Sequence, residues 1–348
     1  MKSVCIVCGG QSHEYEISLI SASSVLKNID RTKYNVHTLI IDREGEFFHS
    51  FLAEDVAGDK WKALPDLAPA IIAQGKAGGV LRLEGGEYKK VDTDVFWPVL
   101  HGENGEDGVI QGLFKLSQTA YVGGGVLASA SCMDKEITHI RLDAAGIKTA
   151  PYLTVRGSDF DLDALDSEIK NSLGYPVFVK PANAGSSVGV GKAKCKDELL
   201  KTLTEALGVD SKVLVEKNIV GAEVECAVLG NENPVAAKYL GQIAPTVEFY
   251  DFDAKYTDSS TQLYIPAHID AEVAEKIRVE AVKAYKVMGC EGLSRVDFFA
   301  LENGEFVLNE INNLPGFTSI SMYPKLFEAA GLKYSELIDA LIETARLK

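Results

Sequence analysis

The chain has 348 residues, of which 46% are apolar and 24% charged, so its composition is globular and its length predicts two or three domains. The formal net charge of −15 disfavours nonspecific binding to nucleic acid or anionic membranes, and no apolar run is long enough to span a bilayer. The start, MKSVCIVCGG, lacks the long apolar region and cleavage site of a signal peptide, so we expect a cytoplasmic protein.

The first block of the chain, residues 1–122, alternates strands and helices. Short β-rich runs at 4–8, 36–41 and 95–100 are separated by helix-like segments such as 19–29, which predicts a parallel α/β sheet. Cys5 and Cys8 have C-x-x-C spacing on one predicted strand, which directs them to opposite faces. The six cysteines are scattered through apolar segments, and we expect packed, reduced thiols rather than a disulfide framework.

Two loops in this block follow predicted strands, where catalytic loops of α/β sheets lie. In the first, CGGQSHEYEIS, two glycines let the backbone approach a ligand, and Glu16 either binds an ammonium group or sits in the first turn of a helix. In the second, HGENGEDGVIQ, His101 stands at the end of a strand. Glu106 and Asp107 would favour the N-terminus of a following helix, and both interpretations of this loop can hold together.

The second block, residues 123–219, contains a helix-like segment at 126–145, two strands and the loop VFVKPANAGSSVGVG. This loop is neither a P-loop nor a Rossmann fingerprint. Its small residues could fold over phosphates and donate backbone N–H groups, or they could form an ordinary glycine hairpin, and the loop alone favours neither. The segment LVEKNIVGAE that follows indicates a strand entering an inter-domain turn, where an adenine could meet backbone groups.

The third block, residues 220–348, is rich in strands and ends in a helix-like segment at 334–347. Residues 244–262 show no sustained period. Long aperiodic loops inside compact domains are usually functional lids or disordered, and the content EFYDFDAKY favours a lid.

Residues 293–316, LSRVDFFALENGEFVLNEINNLPG, predict a β-hairpin, because two apolar runs flank Asn303-Gly304. If those two residues form the loop, Asp297 faces Glu310 across the ladder and Arg295 faces Asn312. Side chains two apart on a strand share a face, so all four lie on one face of the hairpin.

Two facing carboxylates repel each other, which predicts that a hard divalent cation such as Mg²⁺ lies between them. A solvated acidic hairpin is the alternative. Partial burial by apolar side chains on the same predicted face disfavours it: Phe299, Phe306 and Leu308.

Five motifs stand in order over essentially the whole chain: HGENGEDG, KPANAGSSVG, EFYDFDAKY, the R-x-D strand and LNEINNLPGFTSISMYP. Together they resemble the D-alanine–D-alanine ligase family of the ATP-grasp superfamily. The resemblance implies a three-domain ATP-grasp fold of the α/β (α+β) class. The implied domains are residues 1–122, 123–219 and 220–348, the last containing the metal hairpin and the lid at 244–262.

The resemblance also implies a reaction. ATP would phosphorylate the carboxylate of one D-alanine, and the amine of a second D-alanine would displace phosphate to give D-alanyl-D-alanine, a peptidoglycan precursor. The family suggests a homodimer that binds neither nucleic acid nor membrane.

Family motifs assign a role to each candidate residue. The metal ligands, for Mg²⁺ or Mn²⁺ and with two ions expected, would be Asp297, Glu310 and Asn312. The ATP-binding set is Lys135, Lys180, Glu216, Lys217, Ile219 and Glu223. The catalytic set is Glu16, His101, Ser186, Tyr256 and Arg295, with Glu16 holding the ammonium of the first D-alanine. The substrate-binding set is Lys255, Gly316, Ser321 and Met322, with the Gly316 N–H as an oxyanion donor beside Arg295.

The second substrate is the main question of specificity. Related ligases that use D-lactate lack the lid pair present here as Lys255-Tyr256, and those that use D-serine commonly place Arg where Met322 stands. Met322 and Tyr256 therefore favour D-alanine. The chain departs from the family at Asn313, where Ser or Thr is more frequent, and at Asn183-Ala184, where some members carry charged residues.

Two other classes of function remain as alternatives. A phosphotransferase would stop at a phosphorylated product and release no phosphate. A catalytically silent ATP-binding protein is disfavoured because Arg295, Asp297, Glu310 and Asn312 are all intact.

Overall fold

A computed structural model describes residues 1–75, 78–244 and 262–348, and most of the predicted lid therefore lies outside the described residues. The first of three β-sheets has the strand order β6-β5-β4-β3-β2-β1-β7-β8. Its strands are β1 Lys2–Gly9, β2 Tyr34–Ile41, β3 Phe47–Ser50, β4 Ala68–Ala73, β5 Gly79–Glu84, β6 Glu87–Val91, β7 Val95–Pro98 and β8 Ala120–Tyr121. Its helices are α1 Tyr15–Asn28 and α2 Val109–Leu116.

The predicted parallel arrangement is confirmed for one half of this sheet. Strand β1 pairs in parallel with β2 and β7, and β7 pairs in parallel with β8. The other half, from β2 to β6, is an antiparallel meander that includes the 3-10 segment Ala57–Ala63. Strict alternation of strand and helix was therefore wrong between residues 42 and 94, where glycine turns such as Gly85-Gly86 connect neighbouring strands.

The first sheet separates two hydrophobic cores. Cys5 and Cys8 are both fully buried and lie in different cores, as their spacing on one strand predicted. All six cysteines are free thiols, and only Cys195 is exposed. The first core is shared with the end of the chain, since Leu19 of α1 lies in it together with Tyr323 and Leu337.

A buried histidine pair joins strands β2 and β3 in this sheet. His49 Nε2 lies 2.9 Å from His37 Nδ1, and Arg82 Nη1 lies 3.1 Å from His49 Nδ1. Burial lowers the pKa of His37 to about 4. Burial, with the charges of His37 and Arg82, lowers the pKa of His49 to about 3. Both imidazoles are therefore neutral in the folded protein at pH 7.

Acid should destabilise this protein through the histidine pair. The folded-state pKa values lie below the unfolded value of about 6.5, so the free energy of unfolding is highest above pH 6.5 and falls as pH drops towards the folded values. We expect each histidine to remove roughly 1.4 kcal/mol between pH 7.5 and 5.5. Urea unfolding at both pH values measures this loss. The double variant His37→Gln/His49→Gln should lose less stability on acidification, whereas the exposed-site control His268→Gln should behave like wild type.

The second sheet has the order β11-β10-β12-β9, and the third contains β16-β15-β13-β17-β18 with β14 paired to β13. The strands of the second are β9 Tyr152–Arg156, β10 Val177–Pro181, β11 Gly191–Ala193 and β12 Lys212–Lys217. Those of the third are β13 Ala222–Leu229, β14 Val235–Ala236, β15 Gly241–Ala244, β16 Gln262–Tyr264, β17 Leu293–Ala300 and β18 Phe306–Asn312. The helices are α3 Val126–Met133, α4 Lys135–Ala144, α5 Leu162–Ser172, α6 Lys196–Leu207, α7 Ala271–Met288, α8 Met322–Ala329 and α9 Tyr334–Thr344.

The helix predicted at 126–145 is two helices that meet at Asp134. The Asp134 carboxylate accepts a hydrogen bond from the Ile137 N–H at 3.1 Å and so begins α4. Cys132 and Leu142 from these helices lie in one core with Tyr285 of α7. Residues 126–144 therefore pack with the third sheet. The domain boundaries at 122/123 and 219/220 stay a prediction. Every helix of the described ranges is too short or too polar to cross a membrane.

Candidate active site

The hairpin of β17 and β18 brings the predicted metal ligands together. Asp297 pairs with Glu310 and Arg295 with Asn312, so both predicted cross-strand pairs are confirmed. Arg295 donates two hydrogen bonds to Asp297, at 2.8 and 2.6 Å. Asn312 Nδ2 lies 3.0 Å from Asp297 Oδ2 and 3.3 Å from Glu310 Oε1. The four side chains form one contiguous polar cluster.

The predicted two-residue loop of this hairpin was wrong, although the facing pairs derived from it are correct. Leu301 N–H donates to the Glu305 carbonyl at 2.9 Å, so the loop has three residues and ends on Gly304, whose φ is +80°. The ladder near the loop is therefore shifted by one residue. A β-bulge between Asp297 and Phe298 reverses that shift, with Asn309 as the extra residue on β18.

The bulge changes which side chains reach the site. Leu308 and Phe306 pack with Phe298 in a hydrophobic core and do not share the face of Asp297, contrary to the prediction. Phe299 lines the cavity beside Glu310, as predicted, and Asn309, which was not predicted, lines it too. The burial expected at this face is present, since Asp297 is only 1% exposed. It comes partly from residues other than those predicted.

Sequence reasoning missed a third carboxylate in this row. Glu225 of β13 pairs with Asp297 from the side opposite Glu310, and its Oε1 lies 3.1 Å from Arg295 Nε. Arg295 is thereby held between two carboxylates. The alternating pattern AEVECAVL, which places Glu223 and Glu225 on one face of a strand, was the available signal.

A cavity of about 460 Å³ lies between the second and third sheets, next to Glu310. It is lined by all six residues predicted to bind ATP: Lys135, Lys180, Glu216, Lys217, Ile219 and Glu223. Lys135 Nζ donates to the Ala184 carbonyl at 2.6 Å, which ties the lysine to the glycine-rich loop. Lys135 and Lys180 lie close enough to interact electrostatically, and neighbouring cations of this kind suit a polyphosphate.

Glu216 joins the charged groups of this cavity. Its Oε2 lies 2.6 Å from Lys180 Nζ, and its Oε1 lies 3.1 Å from His139 Nε2. Burial acts to raise the pKa of Glu216, but Lys180 and His139 outweigh it and lower that pKa to about 2. Lys180 also donates to Asn309 at 3.3 Å. His139 and Asn309 were not predicted as members of the site.

The glycine-rich loop separates this cavity from a larger one of about 1260 Å³, and Ala184, Gly185 and Ser186 line both. The Ser186 hydroxyl of this loop donates a hydrogen bond to Glu14 Oε1, and both residues line the larger cavity. Ser186 has a φ of +49°, a left-handed conformation that the surrounding contacts must stabilise.

Glu16, the predicted ammonium-binding residue, does not take part in this contact. Its side chain is 51% exposed and forms an ion pair with Arg43 at 2.7 Å. Glu14 is 8% exposed and lies at the site instead. Because α1 begins at Tyr15, Glu14 precedes the helix and turns towards the cavity, while Glu16 in the first turn points to solvent. The structure therefore places Glu14, and not Glu16, at the cavity.

The loop after β7 brings His101 and Glu106 to the same region. His101 is 5% exposed, and burial lowers its pKa against the opposing effect of Glu14. Glu106 accepts a hydrogen bond from the Gly102 N–H at 2.8 Å, and burial, with the charge of Glu14, raises its pKa to about 8. Asp107 lies just before the following helix, and its side chain accepts a hydrogen bond from the Val109 N–H at 3.1 Å. Only Asp107 has the helix-terminus role that the sequence suggested for both acids.

The segment between β18 and α8 carries the remaining predicted substrate contacts. Ser321 Oγ accepts a hydrogen bond from the Thr318 N–H at 3.0 Å, and a Cβ on Gly316 would lie 2.9 Å from that oxygen. Met322 is 5% exposed and belongs to a hydrophobic core, where its sulfur would lie 2.3 Å from a Cβ on Gly241. The structure thus buries Met322 in packing and does not place it on either cavity. Lys255 and Tyr256 lie outside the described residues.

Comparison with known proteins decides the family. A model described as the D-ala D-ala ligase N-terminus matches residues 3–124, and one described as the C-terminus matches residues 142–343. The D-alanine–D-alanine ligase of Acetivibrio thermocellus is 46% identical, over 99% of this chain and 96% of that protein. That of Clostridium novyi is 44% identical, over 99% and 98%. The chain belongs to the D-alanine–D-alanine ligase family.

Solved structures of the family share this fold. The VanG D-Ala:D-Ser ligase of Enterococcus faecalis superposes with a TM-score of 0.90 at 39% identity, covering 99% of both chains. The D-alanine–D-alanine ligase of Coxiella burnetii gives a TM-score of 0.87 at 33% identity, covering 99% of this chain and 95% of that one. The predicted ATP-grasp fold is therefore confirmed.

The D-alanine–D-alanine ligase family implies a divalent metal, and the hairpin residues fit one. In the part of the chain that the structure describes, no group of three or more His, Cys, Asp or Glu side chains has the arrangement of a metal site. Asp297, Glu310 and Asn312 supply two carboxylates and one amide, which would need further oxygen ligands. Mg²⁺ is usually bound in this way, by one or two carboxylates and substrate phosphates.

Proposed function

We propose that this protein joins two D-alanine molecules to D-alanyl-D-alanine, a peptidoglycan precursor, with conversion of ATP to ADP and phosphate. One observation carries the proposal. A cavity lined by Lys135 and Lys180 has Glu310, a member of the Arg295–Asp297–Glu310–Asn312 cluster, in its wall. Ser186, which also lines this cavity, donates a hydrogen bond to Glu14. Phosphate donor, reacting carboxylate and ammonium group each have a complementary partner there.

The nucleotide would occupy the cavity of about 460 Å³, with Lys135 and Lys180 against its phosphates. Their positive charges offset the charge that develops as the terminal phosphoryl group moves to a D-alanine carboxylate. A divalent cation held by Asp297, Glu310 and Asn312 would neutralise further charge at the phosphates. We expect Mg²⁺ or Mn²⁺ there, and two ions in all.

The first D-alanine would lie between Glu14 and Arg295. Glu14 is the carboxylate for its ammonium group, and Arg295 with the Gly316 N–H stabilises negative charge at its carbonyl oxygen. The amine of the second D-alanine then attacks this carbonyl carbon, and phosphate leaves. Ser321 is the proposed contact for the carboxylate of the second D-alanine. Homodimerisation and a cytoplasmic location stay predictions from the family resemblance and the sequence.

The second substrate has one alternative with a specific observation behind it, because the VanG neighbour is named a D-Ala:D-Ser ligase. We favour D-alanine because the sequence resemblance links D-serine ligases to an Arg at the position of Met322, which here is apolar and buried in packing. A guanidinium group there would have to leave the hydrophobic core or be paired within it.

Product analysis tests the proposal directly. We expect ATP-dependent phosphate release with D-alanine and Mg²⁺, and a product with the mass of D-alanyl-D-alanine. The same assay with D-alanine plus D-serine, and with D-alanine plus D-lactate, measures the second-substrate preference. L-alanine should not replace D-alanine, because Glu14 at the ammonium group and the oxyanion donors at the carboxyl group would fix one hand at the α-carbon between them. Equal turnover of L-alanine, or ADP formation without phosphate release, would contradict the proposal.

A further inference from the structure

Ser21 of α1 is fully buried and connects two segments of the candidate active site. Its Oγ lies 3.2 Å from His101 Nε2, and it accepts a hydrogen bond from the Phe317 N–H at 3.4 Å. His101 follows strand β7 in the first sheet, and Phe317 follows β18 in the third. One hydroxyl group therefore bridges chain segments more than 200 residues apart, at a point from which water is excluded.

Phe317 is fixed by contacts of both its backbone and its ring. Its carbonyl oxygen accepts a hydrogen bond from the Tyr334 hydroxyl at 2.6 Å, and its ring packs edge-on against Trp97 at 5.7 Å between centroids. The residue itself is 2% exposed. Because Ser21 binds the N–H of the peptide that joins Gly316 to Phe317, it also fixes the orientation of that peptide plane next to Gly316.

His101 is closed in by the same contacts. Its Nε2 faces the Ser21 hydroxyl, and burial above all lowers its pKa, so the imidazole is neutral at pH 7. A histidine whose nitrogen is engaged by a buried serine is poorly placed to accept a proton from an incoming amine. Its position instead suits it to hold the serine.

We propose that Ser21 is a positioning residue: with His101 it anchors the Phe317 N–H. This contact restrains the backbone at Gly316, so that the Gly316 N–H, in the preceding peptide, points at the reacting carbonyl oxygen. The inference rests on the proposed function, since the oxyanion role of Gly316 belongs to that proposal. An oxyanion donor stabilises the transition state only when it is aimed where the charge develops. The Ser21 contact would orient the donor in this way, although Gly316 lies in the loop between β18 and α8.

Ser21→Ala removes the bridge. Loss of an oxyanion donor costs about 10²–10³ in kcat, so displacement of one should cost less, roughly tenfold. The KM for ATP should change by less than about twofold, because Ser21 does not line the proposed nucleotide cavity. Ser21→Cys keeps the volume and a weaker hydrogen-bonding group, and its kcat should lie between those of wild type and Ser21→Ala.

Ser23→Ala is the matched control. Ser23 is a buried serine on the same helix that also accepts two backbone hydrogen bonds, from Val56 at 2.9 Å and Ala57 at 3.0 Å, away from the site. This variant should lose stability but retain kcat. If His101 acts through Ser21, the double variant Ser21→Ala/His101→Asn should be no more than about twofold slower than Ser21→Ala alone.

Hydrogen exchange of the segment 314–323, measured by mass spectrometry, tests the bridge without reference to activity. It should become faster in Ser21→Ala and stay unchanged in Ser23→Ala. The positioning role would be overturned, and the proposed function left intact, by any of three results in the variants. These are unchanged exchange in Ser21→Ala, unchanged kcat despite faster exchange, and multiplicative losses of kcat in the double variant. Failure of the wild-type protein to form the dipeptide would overturn the proposed function, and the role with it.

Discussion

Glu310→Gln should lower kcat by about a thousandfold while the protein stays folded. A divalent cation contributes several kcal/mol of charge stabilisation in phosphoryl transfer, and each 1.4 kcal/mol is a factor of about ten in rate. Glu310 lines the proposed nucleotide cavity and faces Asp297 across the ladder, so its loss removes one of two carboxylates from the proposed cation site. Phosphate release at saturating Mg²⁺ and ATP measures the effect.

The same variant separates a metal site from a structural ion pair. Without Mg²⁺, Glu310→Gln should be at least as stable as wild type, because it relieves repulsion between two facing carboxylates. Asp297→Asn should also be inactive but less stable, by roughly 3 kcal/mol, because Asp297 is buried and pairs with Arg295 through two hydrogen bonds. Urea unfolding with and without Mg²⁺ compares the variants. Near-normal turnover in both would place the cation elsewhere.

The hairpin shows how far the sequence can predict a site. Strand periodicity and the Asn303-Gly304 turn gave the correct facing pairs, but through two errors that cancelled. A two-residue and a three-residue loop can carry the same Asn-Gly signal, and the bulge at Asn309 depends on packing that no local pattern contains. Asn309 and Glu225 therefore entered the site only with the structure.

The parallel half of the first sheet was predictable because its strands are mostly buried and read as largely apolar runs. The meander between residues 42 and 94 was not, because its short edge strands are half exposed and carry a weaker pattern. The lid residues Lys255 and Tyr256 stay predictions, as they lie outside the described residues.

The two acids near the start of α1 differ for a reason that lies in the helix boundary. Glu14 and Glu16 are two residues apart, which on a helix means roughly 200° around its axis. Both fit a carboxylate at the end of a glycine loop, and only the boundary at Tyr15 decides which one faces the cavity. Boundaries of elements are the least certain part of a sequence-based prediction.

This difference gives the second large effect. Glu14→Gln should lower kcat/KM for D-alanine by about 10- to 100-fold, since a hydrogen bond to a charged group contributes roughly 1.5–3 kcal/mol. Glu14 is buried, contacts Ser186 and would face the ammonium of the first D-alanine. Glu16→Gln is the matched control, with the same chemical change two residues away. It should stay within about twofold of wild type, because a surface ion pair such as Glu16–Arg43 contributes about 0–1 kcal/mol.

Initial rates at varied D-alanine and saturating ATP distinguish the two carboxylates. The KM for ATP should be unaffected in both variants, because neither residue lines the proposed nucleotide cavity. If Glu14 and Ser186 act as one unit, Glu14→Gln/Ser186→Ala should lose less than the product of the two single losses. A larger loss in Glu16→Gln than in Glu14→Gln would return the ammonium-binding role to Glu16. It would also require the start of α1 to turn when substrate binds, since the Glu16 side chain now points to solvent and Arg43.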